Sequence, residues 1–304
     1  MAITTLANLA AVIPDIVEAE AIATASRKMV FMQHMRRIDR TGPGDVFHHT
    51  QRAALTFAAY ASDGTAPTPT TYAPGERTHT PVERTVDVEI PRKGLGDSAV
   101  DLSSDIGAEI GIGYAQDTDA RIAAIYTEAP AAAPDHEIGT DGVPFSTQII
   151  VSGEVLLMTQ KAPRPDAGPS RKGIVFVIGT LQYGELCQDD SFKNASIWGA
   201  PTVITEGVRD DGWVRDYMNT SVYQSDQIIE SSGLHAMMFS RQNALGWTFK
   251  RIGRPGGTLS EIMIDLAWNE AKRSYSTHVT YEAIAAGMKG TSATTNNWLV
   301  DIIS

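Results

Sequence analysis

Residues 77–128 read RTHTPVERTVDVEIPRKGLGDSAVDLSSDIGAEIGIGYAQDTDARIAAIYTE, and this stretch decides the fold. Val82, Arg84, Val86, Val88 and Ile90 alternate with Glu83, Thr85, Asp87 and Glu89. A period of two is the signature of a strand with one buried face. Pro91 ends the strand, and Lys93-Gly94-Leu95-Gly96-Asp97-Ser98 reads as a turn leading to a helix cap. Leu102, Ile106 and Ile110 then recur every fourth residue. After a weaker middle, Ile122, Ala123, Ile125 and Tyr126 resume an apolar face. The spacing predicts one helix over residues 98–128, roughly 45 Å long at 1.5 Å per residue. Asp101 and Asp105 near its start suit the helix dipole. Gly107, Gly111 and Gly113 each cost a helix about 1 kcal/mol relative to Ala. They mean either a break or a close approach by another backbone, and the sequence leaves both open.

Upstream, residues 58–80 carry Pro67, Pro69 and Pro74 among many Thr, Ala and Gly, with Pro81 just beyond. So long an excursion inside a compact domain is either functional or disordered. A strand-like segment, residues 45–57, precedes it. The order is strand, polar excursion, strand, long helix. An arm held out on two strands cannot bury itself and needs a surface from elsewhere, most economically another copy of the chain.

The 304 residues suffice for a large core and one or two domains. Hydrophobic content of 42% and charged content of 20% are those of an ordinary globular protein. A net charge of −11 argues against tight wrapping of nucleic acid, which takes a basic surface. A single cysteine, Cys187, excludes an internal disulfide and fits a reducing compartment. No apolar run reaches membrane-spanning length, so no membrane partner is expected, and no secretory signal is evident.

Along the rest of the chain, Leu6, Leu9, Val12, Ile13, Ile16 and Val17 form an apolar stripe at helical spacing, interrupted by Pro14. Residues 27–37 combine Met29, Met32 and Met35 with Arg27, Lys28, Arg36 and Arg37, which reads as an amphipathic helix lying on a neighbour or on the chain's own core. Residues 147–161 read as a helix closed by Pro163, Pro165 and Pro169. Ile174-Val175-Phe176-Val177-Ile178 is a continuous apolar run ending at Gly179, which predicts a strand buried on both faces. A short helix is expected at 181–186, short strands within 203–208, 213–218 and 221–223, an apolar run at 234–239, and strand-like alternation from Glu261 to Tyr281.

Catalytic and ligand motifs are missing. Residues 179–184 lack dinucleotide-loop spacing, and residues 253–258 have no lysine before Thr258, as a phosphate loop requires. There is no Gly-x-Ser-x-Gly elbow. The pairs Asp189–Asp190 and Asp210–Asp211 read as solvated turn carboxylates, and His48 and His49 point to opposite faces of a strand. No catalytic residues, no cofactor and no metal site are therefore expected.

The order of these parts resembles the major capsid protein of tailed bacteriophages, a fold named for a Hong Kong phage and shared with encapsulin shells. The resemblance rests on the apolar N-terminal arm, the Thr/Pro/Gly-rich hairpin, the strand at 86–90 with its following helix, the buried strand at 173–178 with Leu181-Gln-Tyr-Gly-Glu-Leu186, Asp190-Ser-Phe192, and the turn Trp198-Gly-Ala-Pro201. It implies an α+β fold. The arm would be 1–44 and the extended E-loop hairpin 45–92. The peripheral domain would be 93–171 with 240–304, carrying a spine helix near 98–128, and the axial domain would be 172–239. It implies a structural protein that assembles as pentamers and hexamers into an icosahedral head around double-stranded DNA, in the virion, after assembly in the host bacterial cytoplasm. A portal and a separate scaffolding protein, or none, would be its partners. An encapsulin-type nanocompartment is the alternative within the fold, and a soluble enzyme the alternative outside it. Some relatives cross-link an E-loop lysine to an asparagine. Residues 45–92 contain no lysine, so no such cross-link is expected.

Overall fold

The computed structural model describes residues 17–25, 28–40, 46–51, 75–91, 102–128, 136–164, 172–193, 212–228, 233–252, 260–269, 272, 274–289 and 296–304. The expectations for residues 1–16, 58–74, 93–101, 198–201, 203–208 and 210–211 lie outside them.

The quoted strand forms as read. β4 (Val82–Pro91) runs antiparallel along β12 (Ser274–Gly287), with Val82 opposite Ala283 and Pro91 opposite Ser274. The other edge of β12 takes two partners end to end. β10 (Leu245–Lys250) pairs with its C-terminal half and β11 (Ile262–Asn269) with its N-terminal half. β1 (Arg36–Arg40) adds to β10 in parallel and completes a five-stranded sheet. A separate two-stranded hairpin joins β2 (Phe47–Gln51) to β3 (Gly75–His79).

The helix after β4 is α2 (Leu102–Ala123), which tightens into a 3-10 segment at Ala124–Glu128. The helix α1 (residues 17–25) packs across it. The two glycine readings separate at this crossing. A Cβ at Gly107 would lie 3.0 Å from the Val17 carbonyl oxygen, and one at Gly111 would lie 2.5 Å from the Ala21 oxygen, whereas Gly113 faces open space. The helix is continuous, and two of its three glycines exist to let another backbone in.

A six-stranded sheet has the order β5-β13-β9-β6-β8-β7. Its members are β5 (Glu137–Gly139), β6 (Ile174–Ile178), β7 (Trp213–Tyr217), β8 (Thr220–Gln224), β9 (His235–Ser240) and β13 (Leu299–Ile303). α3 (Thr147–Thr159) and α4 (Thr180–Leu186) lie near it. β6 is fully buried, and its alternation divides two cores. Ile174, Phe176 and Ile178 meet Ile150 and Leu157 of α3, while Val175 and Val177 join the core shared with α1, α2 and the five-stranded sheet. β5 and β13 belong to this sheet although their segments fall in ranges that the resemblance assigns to the peripheral part.

Three sequence readings need correction. Residues 27–37 are not an amphipathic helix. Met29, Val30, Phe31, Met32 and Met35 are all buried in the chain's own core, through a 3-10 turn (Met32–His34) that leads into β1. The run from Met29 to Met35 is buried almost continuously, and not along one stripe as an amphipathic helix would be. β10 and β13 were not foreseen. β10 is short and carries Gly246 and Thr248, and β13 lies behind a Thr/Asn-rich tail, so neither shows a long apolar run. The valine face of β4, expected to be buried, is largely exposed: Val82 is 48% and Val86 54% exposed, and among the described residues no element covers them.

Candidate assembly surface

The polar middle of α2 is what the periodicity reading called weak, and it carries the joints of the molecule. Tyr114 donates to Glu261 Oε1 at 2.8 Å, and Trp247 Nε1 donates to the same oxygen at 3.2 Å. Arg37 forms an ion pair with Glu261 Oε2, so one carboxylate ties β1, α2 and β10 together. Burial, with Glu261 beside it, pushes the Tyr114 phenol up. Tyr281 donates to Asp117. Arg121 donates to the Ala283 carbonyl at 2.6 Å and lies over the Trp247 ring at 5.6 Å. Asp119, buried, accepts from the amides of Val30 at 2.8 Å and Phe31 at 3.2 Å. Burial pushes its carboxyl up to about 7, against the pull of those two amides. These hydrogen bonds and ion pairs act as structural joints between elements of the chain.

A second joint links the N-terminal segment to the six-stranded sheet. Arg241 Nη1 donates to His34 Nδ1 at 2.7 Å and its Nε donates to the Lys172 carbonyl at 3.0 Å, while the His34 ring packs on Tyr223 at 4.2 Å. At the far end His235 Nδ1 lies 3.0 Å from Asp301, under the Tyr126 ring. Burial outweighs the attraction of His235 and raises Asp301 to about 6.

Asp189 is not a solvated turn carboxylate as expected. It accepts from the amide and hydroxyl of Thr147, both at 2.8 Å, and from the Ser191 amide at 2.8 Å, so it caps α3 from outside. Burial raises this carboxyl, but the hydrogen bonds from Thr147 and Ser191 win and hold it below the usual range. His48 sits on the outer face of the hairpin against Glu76, and His49 lies on the inner face with Arg77. Among the described residues no three His, Cys, Asp or Glu converge on a metal position, Cys187 is a half-buried free thiol, and no helix is long and apolar enough to cross a membrane.

The base of the hairpin is fixed firmly. Arg77 is buried and donates to the Gly287 carbonyl at 2.6 Å. His79 is buried beside it; burial, then Arg77, then His49 lower its imidazole to about 4, so it stays neutral at neutral pH. β4 carries one polar face bound to β12, through Asp87 with His278 and Glu89 with Lys272 and Ser274. Its other face presents Val82 and Val86 to solvent, and Val46 is exposed at the start of β2. A further apolar outcrop lies by the six-stranded sheet, where Val143, Val155, Met158 and Leu181 are exposed.

Two sheets, a long helix crossed by the N-terminal helix, and a hairpin held at its base by Arg77 make an α+β arrangement that matches the tailed-phage capsid fold. The chain is similar over nearly its whole length to solved shells of that fold. The capsid of Ralstonia phage GP4 has 15% identity and a TM-score of 0.59, covering 91% of this chain and 90% of that one. The capsid of cyanophage P-SCSP1u has 12% identity and a TM-score of 0.61, covering 90% and 88%. A virus-like particle from Pyrococcus furiosus has 9% identity and a TM-score of 0.57, covering 95% and 98%. No model of a protein family matches the sequence, and no curated protein matches it.

Proposed function

We propose that this chain is a major capsid protein: a structural, non-enzymatic subunit that closes on copies of itself, as pentamers and hexamers, into an icosahedral phage head. One observation carries the reading. The β4 strand and the hairpin beside it are locked at their base by Arg77 and by the full-length ladder to β12, yet they hold out Val82, Val86 and Val46, which no element among the described residues covers. A rigid mount with an uncovered apolar face is what an intersubunit contact requires, and shell contacts of this kind are large and obligate.

In this reading residues 1–44 are the N-terminal arm and 45–92 the E-loop. Residues 93–171 and 240–304 make the peripheral domain, to which β5 and β13 are chain-wise attached, and 172–239 make the axial domain. The shell encloses double-stranded DNA without reading its sequence, takes a portal and a scaffolding protein as partners, assembles in the bacterial cytoplasm and ends in the virion. The net charge of −11 suits a wall that does not bind packaged DNA tightly.

A second reading, a nanocompartment shell of the encapsulin type, is favoured by the likeness to the virus-like particle. The nucleic-acid content of purified particles separates the two. A phage head that has packaged holds nuclease-protected double-stranded DNA of uniform length, and a nanocompartment holds protein cargo. Val86→Asp tests the shared part. It is expected to abolish particles in electron micrographs while leaving the unfolding midpoint of the unassembled chain within about 0.5 kcal/mol, as for a surface change. Normal particles from this variant would refute the assigned contact.

A further inference from the structure

The β2–β3 hairpin sorts its charges by face. His49 stands opposite Arg77 and Phe47 opposite His79, so these four side chains share one face. Exposure alternates along β3: Glu76 and Thr78 are exposed, while Arg77 and His79 are buried. The one acid in these two strands, Glu76, lies on the outer face with His48. The inner face is basic. Arg77 fixes where that face lies, because its bond to the Gly287 carbonyl sets it against the C-terminal end of β12. Gly246 of β10 stands opposite Ala286 there, and Arg36 of β1 stands opposite Gly246. Two strand spacings, roughly 10 Å, carry Arg36 to the same corner of the sheet.

Every described charged group that acts on the two imidazoles is basic. Burial, then Arg36, then Arg77 lower His49, and burial, then Arg77, then His49 lower His79. His79 is only 9% exposed, and its Nε2 meets no hydrogen-bond partner among the described residues. The neighbouring Arg37 and Arg251 have Glu261 and Asp39 as partners, whereas exposed Arg36 has no carboxylate among the described residues. Gathering like charges at a half-buried place is costly without a counter-charge. We propose that the inner base of the hairpin is an oxyanion site of the phosphate class, with Arg36 and His49 at its mouth and Arg77 and His79 at its floor. Guanidinium and imidazole donors brought from three strands suit a tetrahedral dianion, which accepts hydrogen bonds from several directions, better than a planar carboxylate. The site lies within one chain and stands whether or not that chain forms a shell. A free ion and the backbone phosphate of a nucleic acid share this chemistry.

The test is equilibrium dialysis of the full chain at low ionic strength against radiolabelled sulfate, a dianion whose charge does not change between pH 8 and pH 6. One ion is expected per chain, bound several-fold more tightly at pH 6, because an anion favours the protonated imidazoles. Arg36→Gln is expected to weaken binding about tenfold, and His79→Gln to reduce the gain at pH 6. Should His79→Gln unfold, half-buried His49→Gln takes its place. Unlabelled phosphate is expected to displace the label. A short DNA duplex then separates the sources: displacement assigns the site to backbone phosphate and no displacement to a free ion, and either supports an oxyanion site. No saturable binding, equal binding by Arg36→Gln, or an unaltered pH gain in the histidine variant overturns it. Binding by the separated chain but not by assembled particles would mean that a carboxylate of a neighbouring copy fills the site, and overturns it too.

Discussion

At Gly111, van der Waals contact decides the residue. A methyl group there would press on the Ala21 oxygen at 2.5 Å and the Thr24 Cβ at 2.9 Å, while at Gly113 it would meet nothing. Helix propensity alone predicts about 1 kcal/mol of gain from either substitution by Ala. Overpacking reverses the sign at the first site, so Gly111→Ala is expected to destabilise by about 1–3 kcal/mol and Gly113→Ala to stabilise by up to about 1 kcal/mol in urea unfolding. Asp119 supplies a pH test. Its carboxyl rises from 3.8 when unfolded to about 7 when folded, and Asp301 rises to about 6. Raised folded values mean stability that is complete below about pH 4 and lost as the pH climbs through those values. His79, lowered to about 4, works the other way over this window, but the two raised carboxyls together outweigh it, so the urea midpoint of the unassembled chain is expected to fall between pH 4 and pH 7, and Asp119→Asn to flatten that fall. A midpoint that rises over the window, or an unchanged slope in the variant, would contradict the assignment. Neither role was legible in the sequence: periodicity marks glycines and polar residues as gaps in a helical face, and only the packing shows which gaps receive a backbone or an amide.

Among the elements, β6 is legible on both faces because five successive apolar residues bounded by Gly173 and Gly179 leave few alternatives. α2 was placed well by its i, i+4 pattern, which survives even where Tyr114, Asp117, Asp119 and Arg121 turn its second half into polar joints. β10 and β13 escaped because strand pairing from distant parts of the chain, not local pattern, makes them strands. The β4 pattern was legible, but its period-two face says only that one side is apolar, not which molecule covers it. The mount of that strand is testable. Arg77→Ala removes the buried donor to Gly287 and leaves that carbonyl without this partner, so a loss of about 1–3 kcal/mol is expected. Hydrogen exchange is expected to speed up in β2 and β3 and to stay unchanged in β6. Equal acceleration in β6 would show that the hairpin base is not an independent joint.

For the whole molecule, a hydrophobic core among the described residues runs from α1 through α2 to both sheets, so the part of the proposed arm from Val17 to Met35 packs into its own subunit. Among the described residues the exposed large apolar side chains lie on β4 with Val46 beside it, at Ile22 of α1, in the outcrop by the six-stranded sheet and at Met218 in the β7–β8 turn. The absence of lysine from residues 45–92 predicts that boiled particles run on denaturing gels at the monomer mass of 32.7 kDa, and a ladder of covalent multimers would contradict it. The central claim, that this chain is the wall of a closed shell, is tested most directly by cryo-electron microscopy of the purified full-length protein at several concentrations. The account predicts closed icosahedral particles in which β4 and the hairpin of one subunit lie against the next. A population of monomers or small oligomers that stays the same at every concentration would contradict it.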